Sequence, residues 1–380
     1  MKIVIVCDIL GKKNNGTSIA AYNLIDSLKA KGHKVTVICC DEDKKNEEDY
    51  VILDKVNLGP LNKIIERNGV ALPKANKKTI KKAIEEADIV HIMIPFPTSM
   101  KACKIARKLG KPITAGFHCQ AELVSSHLGL MNSKLINKTI YKIFNQKIYK
   151  YCDAIHYPTH FICDVFEDIV GPTNHYIISN GVNPDIQSMP RIKPDSIKDK
   201  FIVLSTGRLA TEKAHMILLK AIAMSKYNDK IQLIIAGQGP LEEKLVKYAQ
   251  KNLINPPCIK YFTREEMLNL LNYSDLYVHP AEAELEGIAC LESVVCWLVP
   301  IVSDSKKSAT KDFALTENNI FKNNNPEDLK DKIEYWIEHP EEKKILKQKY
   351  LEFGNVFNLN ECMDKMEKMF LDVLEKHNKK

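Results

Sequence analysis

Arg208 and Lys213 stand in the segment STGRLATEKAH, directly after an apolar run that reads as a strand. A strand-to-helix turn offers an anion free backbone N–H groups and the positive end of a helix dipole. Two cations there, in a loop opened by Gly207, would clamp a diphosphate; the other reading is a solvated basic turn. Two further loops follow. In GQGPLEEK, Gly237 and Gly239 would let the backbone approach a ligand closely, and Pro240 suits the start of a helix. In PAEAELEGIACLES, Glu284 precedes a helix start at Gly287 and Glu292 lies inside that helix. Eight residues at the helical rise separate the two carboxylates by up to about 12 Å. That span suits gripping opposite ends of one extended ligand, a sugar and a ribose, better than sharing a proton. Ordinary acids at a helix N-terminus are the alternative.

These loops need strands behind them, and the apolar runs supply them. The chain opens with a strand Lys2–Cys7, a polar loop GKKNNGTS, an amphipathic helix from about Ser18 to Lys31 and a strand Lys34–Cys40, a βαβ unit. Strands at Asp88–Ile94, Pro112–Phe117, Ala154–Tyr157 and Tyr176–Ser179 continue it, with helical patterns between. A second series has strands Phe201–Thr206, Ile231–Ala236, Ile259–Phe262, Leu276–His279 and Pro300–Ser303. Its helices fall at His215–Met224, Leu241–Gln250 and Gly287–Val295. Strict alternation of this kind predicts α/β architecture, two Rossmann-like, doubly wound parallel sheets. The expected organisation is a domain over 1–182, a connector over 183–200 rich in Pro, Asp and Lys, and a domain over 201–359. Two such domains would face a cleft, with ligands outside the carboxyl ends of the strands. The closing helix, 360–380, carries Met363, Met366, Phe370 and Leu374 as a packing stripe.

A chain of 380 residues with 45% hydrophobic content has room for two such cores and is no disulfide miniprotein or disordered tail. The 11 cysteines show no CxxC pairs and read as reduced core thiols, pointing to the cytoplasm. No apolar run reaches membrane-span length. The net charge of +7 lies in the N-terminal half, and in 101–150 the sole acid is Glu122. An anionic surface is therefore the expected partner of that half. SKLINKTIYKIFNQKIYKYC reads as a helix, Lys134–Lys150, with Ile136, Ile140, Ile143, Phe144 and Ile148 on one side and Lys134, Lys138 and Lys142 on another. It reads either as an interfacial helix on an anionic membrane or as a core helix with a lysine-rich outer face. Nucleic acid is discounted, because no RNA or DNA module and no aromatic stacking pattern accompanies the charge.

The succession GRLxxEK, GxGP and E-x7-E resembles the retaining nucleotide-sugar transferases of glycosyltransferase family four, which have the two-domain GT-B fold. The resemblance extends to Gly16 in the first βα loop, to His118 in GFHCQ, to the SNGV turn and to the final helix, which in this family crosses back to the first domain. It implies that Arg208 and Lys213 bind the donor diphosphate and stabilise its charge as the glycosidic bond breaks. It further implies that Glu284 holds donor-sugar hydroxyls with help from the Gly287 turn, that Glu292 holds the ribose, and that Gly207, Gly237 and Gly239 bring backbone to the donor. Gly16 would admit phosphate or acceptor, and His118 would lie near the sugar; His118 also reads as a satisfied histidine at a strand end. Departures are Ala214 where the family often has glycine, Leu285 and Glu286 where it often has Pro-Phe, and Trp297 for a common glycine. The pair beside the sugar site leaves the sugar open.

No catalytic base stands out, which agrees with the family's reaction on one face, where the leaving phosphate takes the acceptor proton. No cofactor and no metal is implied; the one DxD, Asp41–Asp43, lies in a charged run that reads as a solvated loop. GKKNNGTS does not fit GxGxxG, which speaks against NAD. If the lysine-rich helix binds membrane, the resemblance narrows to bacterial diacylglycerol glucosyltransferases. The expected function is then transfer of a hexose from a nucleotide sugar, such as UDP-glucose, to a lipid at the cytoplasmic membrane face, by a peripheral protein. Other readings are a polysaccharide or small-molecule acceptor, a nucleotide-sugar epimerase, and an inactive donor-binding subunit.

Overall fold

The computed structural model describes every residue except 9, 12–15, 58, 60–72 and 380, so most of the polar loop after the first strand lies outside the described residues. The chain divides into two compact units, Met1–Gly181 with Leu359–Lys380, and Val182–Asn358.

Unit 1 is built on a parallel sheet with strands β1 Lys2–Val6, β2 Lys34–Cys39, β3 Tyr50–Ile52, β4 Ile89–Ile92, β5 Ile113–Gly116, β6 Ala154–Tyr157 and β7 His175–Ile177. Their spatial order is β3-β2-β1-β4-β5-β6-β7. The interior strands are buried on both faces, which is why they read as continuous apolar runs. The helix Leu359–Asn378 belongs to this unit and buries Met363, Met366, Phe370 and Val373. Phe370 sits edge-on to the buried His91 ring at 5.2 Å, and Glu367 pairs with Lys31 at 2.8 Å and His33 at 2.6 Å. Residue types three and four apart thus face the sheet side while the acids between them meet the end of the first helix, Gly16–Ala30.

Unit 2 has strands β8 Phe201–Thr206, β9 Ile231–Ala236, β10 Cys258–Lys260, β11 Leu276–His279, β13 Pro300–Ser303 and β15 Ile320–Phe321, ordered β10-β9-β8-β11-β13-β15. A separate pair joins β12 Ala283–Glu284 to β14 Lys307–Ser308. Both large sheets are parallel and share the Rossmann order, so the fold is GT-B, two doubly wound α/β units. The stretch 183–200, expected as the connector, lies along unit 2. Ile186 is buried in its core, the Met189 N–H donates to Asn272 Oδ1 at 2.6 Å, and Lys193 pairs with Asp275 at 2.5 Å. Ile186 and in part Ile197 find an apolar seat and Lys193 finds a partner, while Ile192 stays exposed.

Candidate active site

In unit 2 β9, which follows β8 in the chain, lies on one side of it, while β11 and then β13 lie on the other. The loops after β8 and β11 therefore diverge and open a crevice at the switch point, where doubly wound sheets bind ligands. Those two loops carry Gly207–Ala214 and Pro280–Gly287. The first leaves β8 through Gly207, at φ 141, passes a 3-10 turn Thr211–Lys213, and enters the helix His215–Met224 through Ala214, at φ 51. Arg208 is half-buried in it. The loop after β9 is pressed against it: Gly207 N donates to Ala236 O at 3.0 Å, and Leu209 N to Gln238 O at 2.9 Å. A Cβ on Gly237 would stand 1.9 Å from the Gly207 oxygen, and one on Gly239 would stand 2.5 Å from that of Leu209. The glycines of GQGP thus let two loop backbones pack directly on one another.

Lys213 and Glu284, 71 positions apart, meet as an ion pair through Glu284 Oε2. The same oxygen lies 3.2 Å from His279 Nε2. Burial alone would raise the Glu284 carboxyl, but the Lys213 charge and the His279 hydrogen bond overcome it and hold the group down at about 2. His279 is buried at the end of β11, and burial pushes its imidazole below the ordinary value against the opposing pull of Glu284. His215, the first residue of the following helix, is pushed down to about 3 by burial and by the Lys213 charge. The Lys213–Glu284 pair therefore stands beside two buried imidazoles that burial holds neutral.

Three glutamates alternate in AEAELEG, and the structure separates their tasks. Glu282 pairs with Lys307, its N–H donates to Glu212 O at 2.7 Å, and its carbonyl accepts from Ser305 Oγ at 2.6 Å. This staples the β11 loop to the β8 loop and to β14. Glu284 turns to Lys213, and Glu286 is buried. Gly287 caps the helix Ile288–Val295 with φ 87, and a Cβ there would stand 2.4 Å from Thr310 Cγ2, so glycine is required on both counts. Within that helix Glu292 pairs with Arg264 at 3.2 Å; burial raises its carboxyl and Arg264 opposes the rise. Sequence reasoning missed His279, Glu282 and Arg264. A histidine closing a strand run reads as core, and nothing local marks which of three alternating acids meets the lysine.

In unit 1, Thr17 Oγ1, next to Gly16 in the first helix, donates to the His118 carbonyl at 3.3 Å, which brings these two expected site segments together. Gly16 is exposed with open space where a Cβ would be. His118 is buried, edge-on to His156 at 5.4 Å, and its ring lies over Gly116, where any Cβ would strike Nε2 at 2.4 Å. Burial, and then the neighbouring His156, hold it neutral. Asp41, of the acidic run, accepts from the Gly11 N–H at 3.2 Å. Among the described residues one group has metal-ligand proximity, Cys163, Glu167 and His175 at the β7 edge, where Glu167 already accepts from Thr173 and pairs with His175 at 2.7 Å.

The lysine-rich helix spans Lys134–Lys147, and a 3-10 turn Tyr149–Tyr151 follows, so the expected helix to residue 150 is shorter. Its buried seam is Asn137, Tyr141, Phe144 and Ile148, rotated by about one residue from the expected isoleucine stripe. The polar members go inward because partners await them: Tyr141 OH donates to Glu122 at 2.7 Å, and Asn137 takes Ser125 Oγ at 2.7 Å and gives to Met131 O at 2.9 Å. Ile136 and Ile140 are consequently half-buried and Ile143 exposed. Leu128 and Leu135, 74% and 77% exposed, join Leu130 and Ile143 among the lysines. No described helix is long and apolar enough to cross a membrane.

Residues 14–186 match the family model Glycosyltransferase Family 4, and residues 189–352 match Glycosyl transferases group 1. Among curated relatives, the alpha-monoglucosyldiacylglycerol synthase of Streptococcus pneumoniae is 23% identical over 77% of this chain and 69% of its own. The GDP-mannose-dependent alpha-mannosyltransferase of Corynebacterium glutamicum is 25% identical over 75% of this chain and 68% of its own. Among solved structures, Anabaena HepE in complex with UDP superposes with a TM-score of 0.76 at 14% identity, covering 98% of this chain and 100% of that one. With its two units matched in turn by these models, the chain belongs to the family-four glycosyltransferases of GT-B fold and resembles the diacylglycerol glucosyltransferases.

Proposed function

We propose that this protein transfers a hexose from a nucleotide sugar, UDP-glucose or a close relative, to a membrane lipid such as diacylglycerol, with retention of configuration and without a metal. The observation that carries the donor half is the meeting of Lys213 and Glu284 at the switch point of unit 2. A diphosphate at the start of the helix His215–Met224 would draw on Lys213, Arg208 and the helix dipole, and Glu284 would hold the sugar hydroxyls. Glu292 would take the ribose, with Arg264 as its ion-pair partner. The bond from the anomeric carbon to the diphosphate breaks, the acceptor oxygen bonds on the same face, and its proton passes to the leaving phosphate oxygen. Gly16 and His118 would line the acceptor side of unit 1.

The lipid half rests on the exposed Leu128, Leu130, Leu135 and Ile143 among Lys134, Lys138, Lys142 and Lys147, and on the activity named for the pneumococcal relative. Apolar side chains amid lysines suit an anionic leaflet, each lysine contributing about 1 kcal/mol near its surface. The protein would then work as a peripheral protein on the cytoplasmic membrane face. The test is UDP release from UDP-glucose with and without anionic liposomes containing diacylglycerol. Release that rises with liposomes and falls at high salt, with label in the organic phase, supports the reading; unchanged release rejects this donor and acceptor pair. Arg208→Ala or Lys213→Ala should each lower kcat/KM by about a hundredfold or more, from roughly 2.7–4 kcal/mol per lost charge-stabilising group. Turnover near wild type in either variant rejects the clamp.

A further inference from the structure

Four side chains of unit 2 form one line, three of them buried and the fourth, Glu284, partly exposed. Thr206 Oγ1 lies 2.6 Å from Tyr277 OH, Tyr277 OH lies 3.3 Å from His279 Nδ1, and His279 Nε2 lies 3.2 Å from Glu284 Oε2. Thr206, Tyr277 and His279 are each under a tenth exposed, and the Tyr277 and His279 rings stack with an interplanar angle of 20°. The direction of the line is fixed at its end. An ionised carboxylate only accepts, so His279 carries its hydrogen on Nε2; Nδ1 must then accept, so Tyr277 donates to it, and the Tyr277 oxygen is left to accept from Thr206. Thr206 is the last residue of β8, next to Gly207 of the phosphate loop, and Glu284 stands in the loop after β11.

We propose that His279 is a positioning residue that holds Glu284 ionised and correctly turned when the donor diphosphate draws on Lys213, with Tyr277 and Thr206 fixing the tautomer that lets it do so. This deepens the nucleotide-sugar reading above and rests on it. Lys213 and His279 both bind Oε2, so Oε1 is the oxygen that takes a sugar hydroxyl. Lys213 has two claims on it, Glu284 and the diphosphate. As the second claim is met, a largely buried carboxylate would lose its countercharge, which is costly unless another donor stays in place. The His279 N–H is that donor, and being neutral it does not compete for the phosphate.

The test compares His279→Ala, His279→Gln and Tyr277→Phe with Lys213→Ala, reading UDP affinity by calorimetry and the pH profile of UDP release from UDP-glucose. His279→Ala should bind UDP within about threefold of wild type yet lose about tenfold to a hundredfold in kcat/KM for UDP-glucose, the range for one hydrogen bond to a charged group. The acid limb of its profile should move up by one pH unit or more, because Glu284 would protonate more easily. His279→Gln, which restores an N–H near the Nε2 position, should recover most of the activity and return the limb. Tyr277→Phe should move the limb in the same direction by less. An activity loss with an unmoved limb, or Gln no better than Ala, overturns the positioning role while leaving the donor reading intact. A wild-type protein that neither binds UDP or GDP nor releases nucleotide from UDP-glucose or GDP-mannose rejects the donor reading, and this proposal with it.

Discussion

Acidification should unfold unit 1 through its buried histidines. His91 and His156 lie within its sheet at 0% and 2% exposure, and burial holds their imidazoles down at about 3 and about 4, with His156 adding to the effect on His91. An unfolded histidine takes its proton near 6.5, so between pH 6.5 and the folded values the unfolded chain binds more protons, and stability falls as pH falls through that window. At about 1.4 kcal/mol per pH unit, each of the two costs roughly 2 kcal/mol at pH 5 relative to pH 7.5. The assay is urea unfolding at both pH values. Both tryptophans, Trp297 and Trp336, lie in unit 2, so far-UV circular dichroism compared with tryptophan fluorescence separates the units. Wild-type unit 1 should lose at least about 4 kcal/mol between pH 7.5 and 5. His91→Leu should cut that loss by about 2 kcal/mol, whatever its stability at pH 7.5, because packing changes cancel in the pH difference. A variant that keeps the full wild-type pH dependence would refute the reasoning.

Two smaller predictions concern the loops of unit 2. Ala214 sits at φ 51, where an L-residue costs about 1–2 kcal/mol, so Ala214→Gly should raise stability by roughly 0.5–1 kcal/mol after the added unfolded-state entropy, read as a higher urea midpoint by tryptophan fluorescence. Gly287→Ala would place a Cβ 2.4 Å from Thr310 Cγ2 at φ 87 and should lower both stability and UDP-glucose turnover; adding Thr310→Ser, which lacks that methyl, should recover part of the loss but not all, because the backbone strain stays.

Much of the fold is legible in the sequence because the interior strands are buried on both faces. Ala154–Tyr157, Phe201–Thr206, Ile231–Ala236, Leu276–His279 and Pro300–Ser303 stand in the structure with the expected bounds. What escapes is short or peripheral. Tyr50–Ile52 and Ile320–Phe321 lie at sheet edges, and the second is two residues long, too short to show a period. The helix Pro326–Glu338 stands outside the expected elements although its signal is local: Asn325 caps it and Leu329, Ile333 and Trp336 are buried at helical spacing.

The departures from the family's glycines gain a physical meaning from the backbone. Ala214 and Trp297 are two of the three described non-glycine residues at positive φ, at 51 and 63. The chain keeps the left-handed conformation at both positions while giving up the residue that adopts it freely, so the turn is dictated by what surrounds it and not by local preference.

The lysine-rich helix and the donor loop teach the same lesson about polar residues. A hydrophobic stripe counted at helical spacing assumes that polar side chains stay outside, yet Asn137 and Tyr141 go inward because Ser125, Met131 and Glu122 satisfy them, and the isoleucines rotate out in exchange. In the donor loop, the E-x7-E spacing points to Glu284 but names no partner for Glu282, Glu284 or Glu286. Pairing separates them, since Lys307 claims the first and Lys213 with His279 the second. In both places the deciding partner is remote in sequence or silent in its own segment. The order of the loops therefore reveals where the chemistry would sit, while the residues that hold its charges in place emerge only once β8 and β11 are side by side.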